Sequence, residues 1–435
     1  MRLPFFRLLV SITGLALAAQ VAAAGGPGTP AASAAGADRV QPRHAAAPRD
    51  ARAATDDWPQ VDYNPGLTSF NSHETGIGPR NAGRLAVAWS VADTTTGCSS
   101  EYTCANSGGA VVGGVVYQST SYGVFARDAA TGALRWRAPL GTGTIGHGSP
   151  DEASFPAVGG GIVLVELSPI RSERTGIAAL SAATGKTLWT KQTTSEWTPN
   201  QLTLVNGVLY VDFGEKLWAI TARTGHVRWS RSGFSEPAVA NGRVYVMPDA
   251  SAYDLVALSA ATGKTLWRFA TSSVYAPAFA MVTGGVVYLG VGLHVYELNA
   301  RTGRGGKVVN TGCFLRPEAA AVGNGIIYIT CGGRADRTAW AEAFRTSTGK
   351  RRWRVGFGSV GGAVISAPVL ANGVAYLEAF DTRPRTTTVE AVGAASGKKL
   401  WGAPLPSRTW AYLTVAEGKL FAALTTGMTA FAPRA

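Results

Sequence analysis

Along most of the chain, short apolar runs alternate with turn residues, and two kinds of run recur in a fixed order. The first kind is a pair of apolar segments joined by a glycine-containing turn. It reads AVVGGVVY, AVGGGIVLV, LVNGVLYV, VANGRVYV, MVTGGVVYL, VGNGIIYI and LANGVAYL, with VAEGKLFAAL as an eighth copy. Asn-Gly or Gly-Gly between alternating apolar residues signals a hairpin, because two positive-φ residues match the twist of the flanking strands. The second kind is a strand, a Thr-Gly or Ser-Gly turn, and a strand bearing tryptophan. LSAATGKTLW stands at 180–189 and again at 258–267, and looser copies end at Trp136, Trp229, Trp353 and Trp401.

The copies align on Gly132, Gly185, Gly225, Gly263, Gly303, Gly349 and Gly397. Four residues on stand Trp136, Trp189, Trp229, Trp267, Lys307, Trp353 and Trp401; six residues before stand Ala126, Ala179, Ala219, Ala257, Glu297, Ala343 and Ala391. Successive glycines lie between 38 residues (Gly225 to Gly263) and 53 residues (Gly132 to Gly185) apart, the period of a propeller or a related array. Each unit predicts four antiparallel strands, and helical periodicity is absent. The ends complete the count. GMTAFAPRA puts Ala430 at the alanine position and stops, while GRLAVAWS supplies an isolated strand with Trp89 at the tryptophan position. The pattern therefore predicts an all-β, eight-bladed propeller over 57–435, closed by pairing the N-terminal strand with the C-terminal blade so that no sheet edge is left free.

The A-x-x-x-x-T/S-G-x-x-x-W pattern resembles the tryptophan-docking motif of the pyrroloquinoline-quinone (PQQ) repeat propellers. That group includes quinoprotein alcohol dehydrogenases and non-enzymatic assembly factors of the outer membrane. DWPQVDYNPGLTSFNS at 57–72 is similar to the lead-in of secreted members. The resemblance implies that each docking tryptophan lies between blades against the neighbouring turn, where burying one indole is worth roughly 2–3 kcal/mol. The seam of Lys307 and Glu297 is then expected to be the soft one. Trp229→Ala is expected to cost roughly 3–5 kcal/mol, more than truncation of Trp58, which is expected to be exposed.

Composition fits this picture. Of 435 residues, 54 are Gly and only 15% are charged, which suits a turn-rich β protein, and 46% apolar content with 12 Trp excludes global disorder. At the N-terminus, Arg2 and Arg7 bracket a short basic region, an Ala-rich apolar stretch follows, and AAAG at 22–25 offers a small-residue cleavage site. Residues 1–24 read as a cleaved signal peptide rather than a retained anchor, and 25–56 as a disordered Ala/Gly/Pro-rich linker. No further stretch is long and apolar enough to span a bilayer, so a secreted or extracytoplasmic location is expected. Export places the four cysteines in an oxidising compartment, where proximity favours Cys98–Cys104 and Cys313–Cys331 among three connectivities.

In such a ring, the connections from each outer strand to the next inner strand converge on one face, where a ligand site is expected. Their polar and aromatic content is His147, Asp151, Glu152, Glu196, Trp197, Asn200, Glu236, Tyr275, Arg316, Arg408 and Trp410, with Glu318 beginning the next strand. The alternative is a polar rim on a closed barrel. Enzymatic members of the resembled family carry adjacent cysteines beside the quinone and acidic ligands for calcium. This chain has no adjacent cysteines and no C-x-x-C-H haem site, so no cofactor is expected, with PQQ and calcium kept as the alternative. GTGTIG at 141–146 and GFGSVG at 356–361 satisfy G-x-G-x-x-G but lie between strands, so no helix terminus would meet a phosphate.

The net charge of +13 belongs mostly to the propeller, much of it just after the turn glycines at Lys186, Lys264, Arg304, Lys350, Arg351, Arg352, Lys398 and Lys399. A basic ring could hold an anionic cell-envelope polymer, although exposed turns also take Lys and Arg for solubility alone. No nucleic-acid module is present, so nucleic acid is not an expected partner. The first reading is a secreted, non-catalytic scaffold binding a protein or an anionic polymer; the second is a quinoprotein oxidoreductase acting on alcohols or sugars.

Overall fold

The computed structural model describes residues 56–92, 106–120, 123–139, 155–167, 175–193, 201–213, 215–248, 254–271, 273–316, 319–332, 339–357, 363–381, 386–405, 411–424 and 427–434. The expected signal peptide and linker lie outside these residues, apart from Asp56 at the linker's end.

The fold is an eight-bladed β-propeller. Blades 1 to 8 span 106–138, 157–192, 202–232, 234–270, 277–310, 320–356, 363–405 and 412–433, and their sheets are antiparallel. The eighth blade is built from both ends of the chain: Leu85–Ala92 pairs with Gly427–Pro433, with Trp89 opposite Ala430. Closure is reinforced across the blade 8–blade 1 seam, where Thr414 Oγ1 donates to Gly109 O at 2.8 Å and Gly114 N donates to Glu417 Oε1 at 2.6 Å. Blade 7 departs from the repeat. Its inner strand is broken into Ala363–Ile365 and Val369–Ala371, and Phe70–Asn71 adds to it in parallel.

The repeated decapeptide explains how blades stick together. The alanine of each motif lies opposite its tryptophan across the outer strand pair, as in Ala219↔Trp229 and Ala257↔Trp267, and a register shift beside that pair bends the outer strand. The indole then reaches the next blade. Trp229 Nε1 donates to Ala260 O at 2.9 Å, and a Cβ on Gly263 (φ 69) would sit 2.8 Å from Trp229 Cε3. Glycine is therefore required twice at that position, by the turn and by the ring lying on it. The same carbonyl bond is made by Trp89, Trp136, Trp189, Trp267 and Trp353. Trp401 has no such turn to meet in blade 8, and packs edge-on against Phe431 at 5.2 Å instead. The hydrophobic core accordingly divides into clusters seated between neighbouring blades.

The seam expected to be soft has its own chemistry. Lys307 Nζ donates to Thr346 O at 2.6 Å and also to Ser347 O, and Thr346 occupies the place of Ala260 in its turn. An ammonium thus replaces the indole N–H at the same carbonyl. Its partner Glu297 is pushed up by burial, an effect that Lys307 opposes.

Candidate functional site

Each inner strand turns an unpaired backbone edge toward the axis, so eight rows of polar groups need partners there. On the face of the Thr-Gly turns, the lead segment supplies them. Running once round the axis in blade order, it accepts the N–H of Val111 at Trp58 O (2.7 Å), Val158 at Pro59 O (2.8 Å), and Leu204 at Gln60 Oε1 (2.8 Å). It continues with Val239 at Pro65 O (2.6 Å), Val282 at Gly66 O (2.7 Å), Val322 at Thr68 O (3.0 Å), and Leu370 at Ser69 O (2.8 Å). Asn71 Nδ2 completes the circuit by donating to Val415 O at 2.9 Å in blade 8. These acceptors and donors serve the same position in all eight hairpins, two residues before the turn. The circuit forces Asp62, Tyr63, Leu67 and Ser69 to positive φ, and it places Trp58 at 2% exposure, which corrects its expected exposure. A Cβ on Gly66 would lie 2.2 Å from Val282 O, so only glycine admits this approach. The axis is therefore collared at the turn face, and a ligand reaching it has the opposite face as its entrance.

At that opposite face, three of the sequence-derived candidates are described: Glu236, Arg316 and the exposed Tyr275. Glu236 lies at a bulge in the inner strand of blade 4, Phe234–Ala240, with φ 51, and burial pushes its carboxyl up to about 7. Arg316 stands two blades away, and its guanidinium donates to Gly332 O. No ion pair joins them among the described residues. His147, Asp151, Glu152, Glu196, Trp197, Asn200, Glu318, Arg408 and Trp410 lie outside the described residues, as do Cys98 and Cys104. Cys313 and Cys331 form the expected disulfide, with 5.9 Å between their Cα atoms, beside Arg316.

Two acids carry an environment that the candidate set did not include. Glu378 is fully buried between blades 7 and 8. Its Oε1 accepts from Ala411 N at 2.7 Å while Oε2 has no partner, and burial holds its carboxyl well above the usual range. The visible signal was an acid inside the apolar run VAYLEAF. Asp62, in the collar, accepts from Ser69 Oγ at 2.7 Å and is pushed up to about 6 by burial.

Fit to a quinone cofactor can be tested on the described residues. PQQ is a planar polyanion, which needs free cations and a stacking ring at the entrance. Among the described candidates Arg316 is the one cation, with one N–H group already on Gly332 O, and Glu236 is an acid raised by burial; these two residues alone do not make a quinone site. The turn face differs in charge. Lys186, Lys264, Arg304, Lys350 and Lys398, each following its turn glycine, are exposed, and none has a carboxylate partner among the described residues.

Comparison with known proteins adds the following. A family described as outer membrane protein assembly factor BamB matches residues 83–236 and 173–306, which together cover just over half of the chain. No curated protein matches by sequence. Quinohemoprotein alcohol dehydrogenase from Comamonas testosteroni superposes with TM-score 0.66 at 14% identity, over 88% of this chain and 81% of that one. A europium-containing methanol dehydrogenase superposes with TM-score 0.64 at 14% identity, over 86% and 90%. BamB from Moraxella catarrhalis superposes with TM-score 0.56 at 15% identity, over 80% and 97%. At such identities the superpositions speak for the fold alone.

Proposed function

The chain belongs to the PQQ-repeat β-propeller family, and on that premise we propose that it is an extracytoplasmic, non-catalytic scaffold whose turn face holds an anionic cell-envelope polymer. The observation that carries this reading is the repetition, at one structural position, of exposed cations with no carboxylate partner among the described residues. Five of the seven Thr-Gly and Ser-Gly turns place Lys or Arg directly after the glycine, all on one face. Propeller geometry sets them around a circle, so a polyanion crossing that face meets several at once. Each exposed charge contributes little alone, but their fields sum over a surface and strengthen as salt falls. The family bears the description of an assembly factor, which supports binding over turnover, while the dehydrogenase superpositions keep an oxidoreductase as the competing reading.

The test is co-sedimentation or calorimetry with inorganic polyphosphate, with neutral dextran as control, at low and high salt. Polyphosphate is expected to bind and dextran not, and a variant carrying K186E, K264E, K350E and K398E is expected to lose at least tenfold in affinity. Equal affinity in that variant would sink the reading. Dye reduction by the protein after addition of PQQ and Ca²⁺ would replace it with the oxidoreductase.

A further inference from the structure

Opposite the turn face, four large apolar side chains stand together in solvent. Val274 is 75% exposed, Tyr275 46%, Leu293 41% and Phe314 52%. Val274 and Tyr275 belong to the connection from blade 4 to blade 5, Leu293 to the turn before His294–Asn299, and Phe314 to the connection from blade 5 to blade 6. The patch is continuous. Tyr275 and Phe314 meet edge to face at 4.8 Å, and Tyr275 lies so close over Gly292 that a Cβ there would be 3.0 Å from its ring.

The backbone carrying these side chains is fixed by polar bonds, by the disulfide and by Leu315, which is buried in the blade 5–blade 6 core beside the exposed Phe314. Thr311 donates twice to Leu293 O, through N at 2.9 Å and Oγ1 at 2.8 Å, and Leu315 N donates to Gly292 O at 2.7 Å. Gly312 N is fixed by Asn310 Oδ1 at 2.9 Å, and Tyr275 N by Ser273 Oγ at 3.0 Å. The Cys313–Cys331 disulfide ties the residue next to Phe314 to the second strand of blade 6. Exposed aromatic and aliphatic side chains on a backbone fixed in this way cost little loop ordering on binding, which favours a hot spot.

We infer that Val274, Tyr275, Leu293 and Phe314 form a preorganised docking patch for a protein partner that presents an apolar anchor with carboxylates around it. Charge complementarity selects that chemistry. The described residues flanking the patch, 273–277 and 310–316, include no Asp or Glu, and their one charged side chain is Arg316. A second copy would bring its own Arg316 to the contact rather than a carboxylate. A polysaccharide is disfavoured because its hydroxyls need several side-chain hydrogen-bonding groups, whereas the centre of the patch is apolar. This site stands independently of the polyanion reading, since it uses the other face.

The test pans a random-peptide phage library on the wild-type protein and measures the enriched synthetic peptides by fluorescence anisotropy. Enriched sequences are expected to combine an aromatic or aliphatic anchor with Asp or Glu, and to weaken at least tenfold toward Phe314→Ser and toward Val274→Asp. Both positions are exposed, so unchanged circular dichroism and melting are expected to accompany the loss. Cys313→Ser with Cys331→Ser is expected to weaken the same peptides by releasing the Phe314 loop. Peptides that bind both exposed variants as tightly as wild type, or an absence of enrichment, would overturn the proposal. So would a sedimentation-detected dimer abolished by Phe314→Ser, or oligosaccharide binding that depends on Tyr275.

Discussion

Replacing Trp58 by alanine tests the collar where the structure and the sequence reading disagree most. Trp58 is 2% exposed, packs edge-on to Tyr63 at 5.2 Å, and belongs to the cluster shared by blades 7, 8 and 1. Its backbone N and O both pair with Val111 at 2.7 Å, so the side chain pins the point where the circuit round the axis begins. A fully buried indole removes roughly 200 Å² from water, which at ~25 cal/mol/Å² gives about 5 kcal/mol as an upper figure. Truncation of a buried tryptophan costs about 3–5 kcal/mol in practice, because the cavity only partly collapses. Trp58 Nε1 has no hydrogen-bond partner, so no bond is lost with it. Trp58→Phe should therefore cost less than about 1.5 kcal/mol, since it keeps most of the apolar contact and removes an unpaired donor. The assay is guanidinium unfolding at pH 7.5 followed by far-UV circular dichroism, with Trp229→Ala alongside. Trp229 is only half-buried, and its loss should now cost about 2–3 kcal/mol, less than Trp58→Ala. A Trp58→Ala loss below about 1 kcal/mol, with Trp229→Ala the larger, would refute the collar as a structural element.

Two further outcomes follow from particular side chains. Lys307→Met removes two bonds to the blade 6 turn and leaves the partly buried Glu297 without its cation, so a loss of about 1–2 kcal/mol is expected in the same unfolding assay, partly restored by adding Glu297→Ala. Glu236 titrates at about 7 in the folded protein against 4.5 in the ordinary case, so the folded state holds its proton more tightly than the unfolded chain does. Stability from this group is then greatest below about 4.5 and falls as pH rises toward about 7, and Glu236→Gln should flatten that fall and raise the unfolding midpoint at pH 8. An unchanged slope between pH 5 and pH 7.5 in that variant would contradict the assignment.

Much of the fold was legible because its determinants are local and repeated. A Thr-Gly turn, an alanine six residues earlier and a tryptophan four residues later each act within one blade or on its immediate neighbour, so counting the copies, with the two incomplete ones at the ends, gives the number of blades. The closure at Trp89 and Ala430 was readable for the same reason, since two incomplete copies of one unit can only complete each other. At Lys307 the substitution breaks the motif but keeps its hydrogen bond, which the sequence did not reveal: the ammonium meets the same carbonyl as the indole.

What tertiary structure alone decided is where non-repeating residues go. DWPQVDYNPGLTSFNS has no periodicity, and nothing in its spacing reveals that it circles the axis and caps one hydrogen-bonding position in every blade. The same holds for Val274, Tyr275, Leu293 and Phe314, scattered over 40 residues and joined only because three connections share a face. Neighbour-to-neighbour packing is written in the order of the chain, whereas groups that meet at an axis or a rim are brought together by the closure of the ring, which no short stretch of sequence contains.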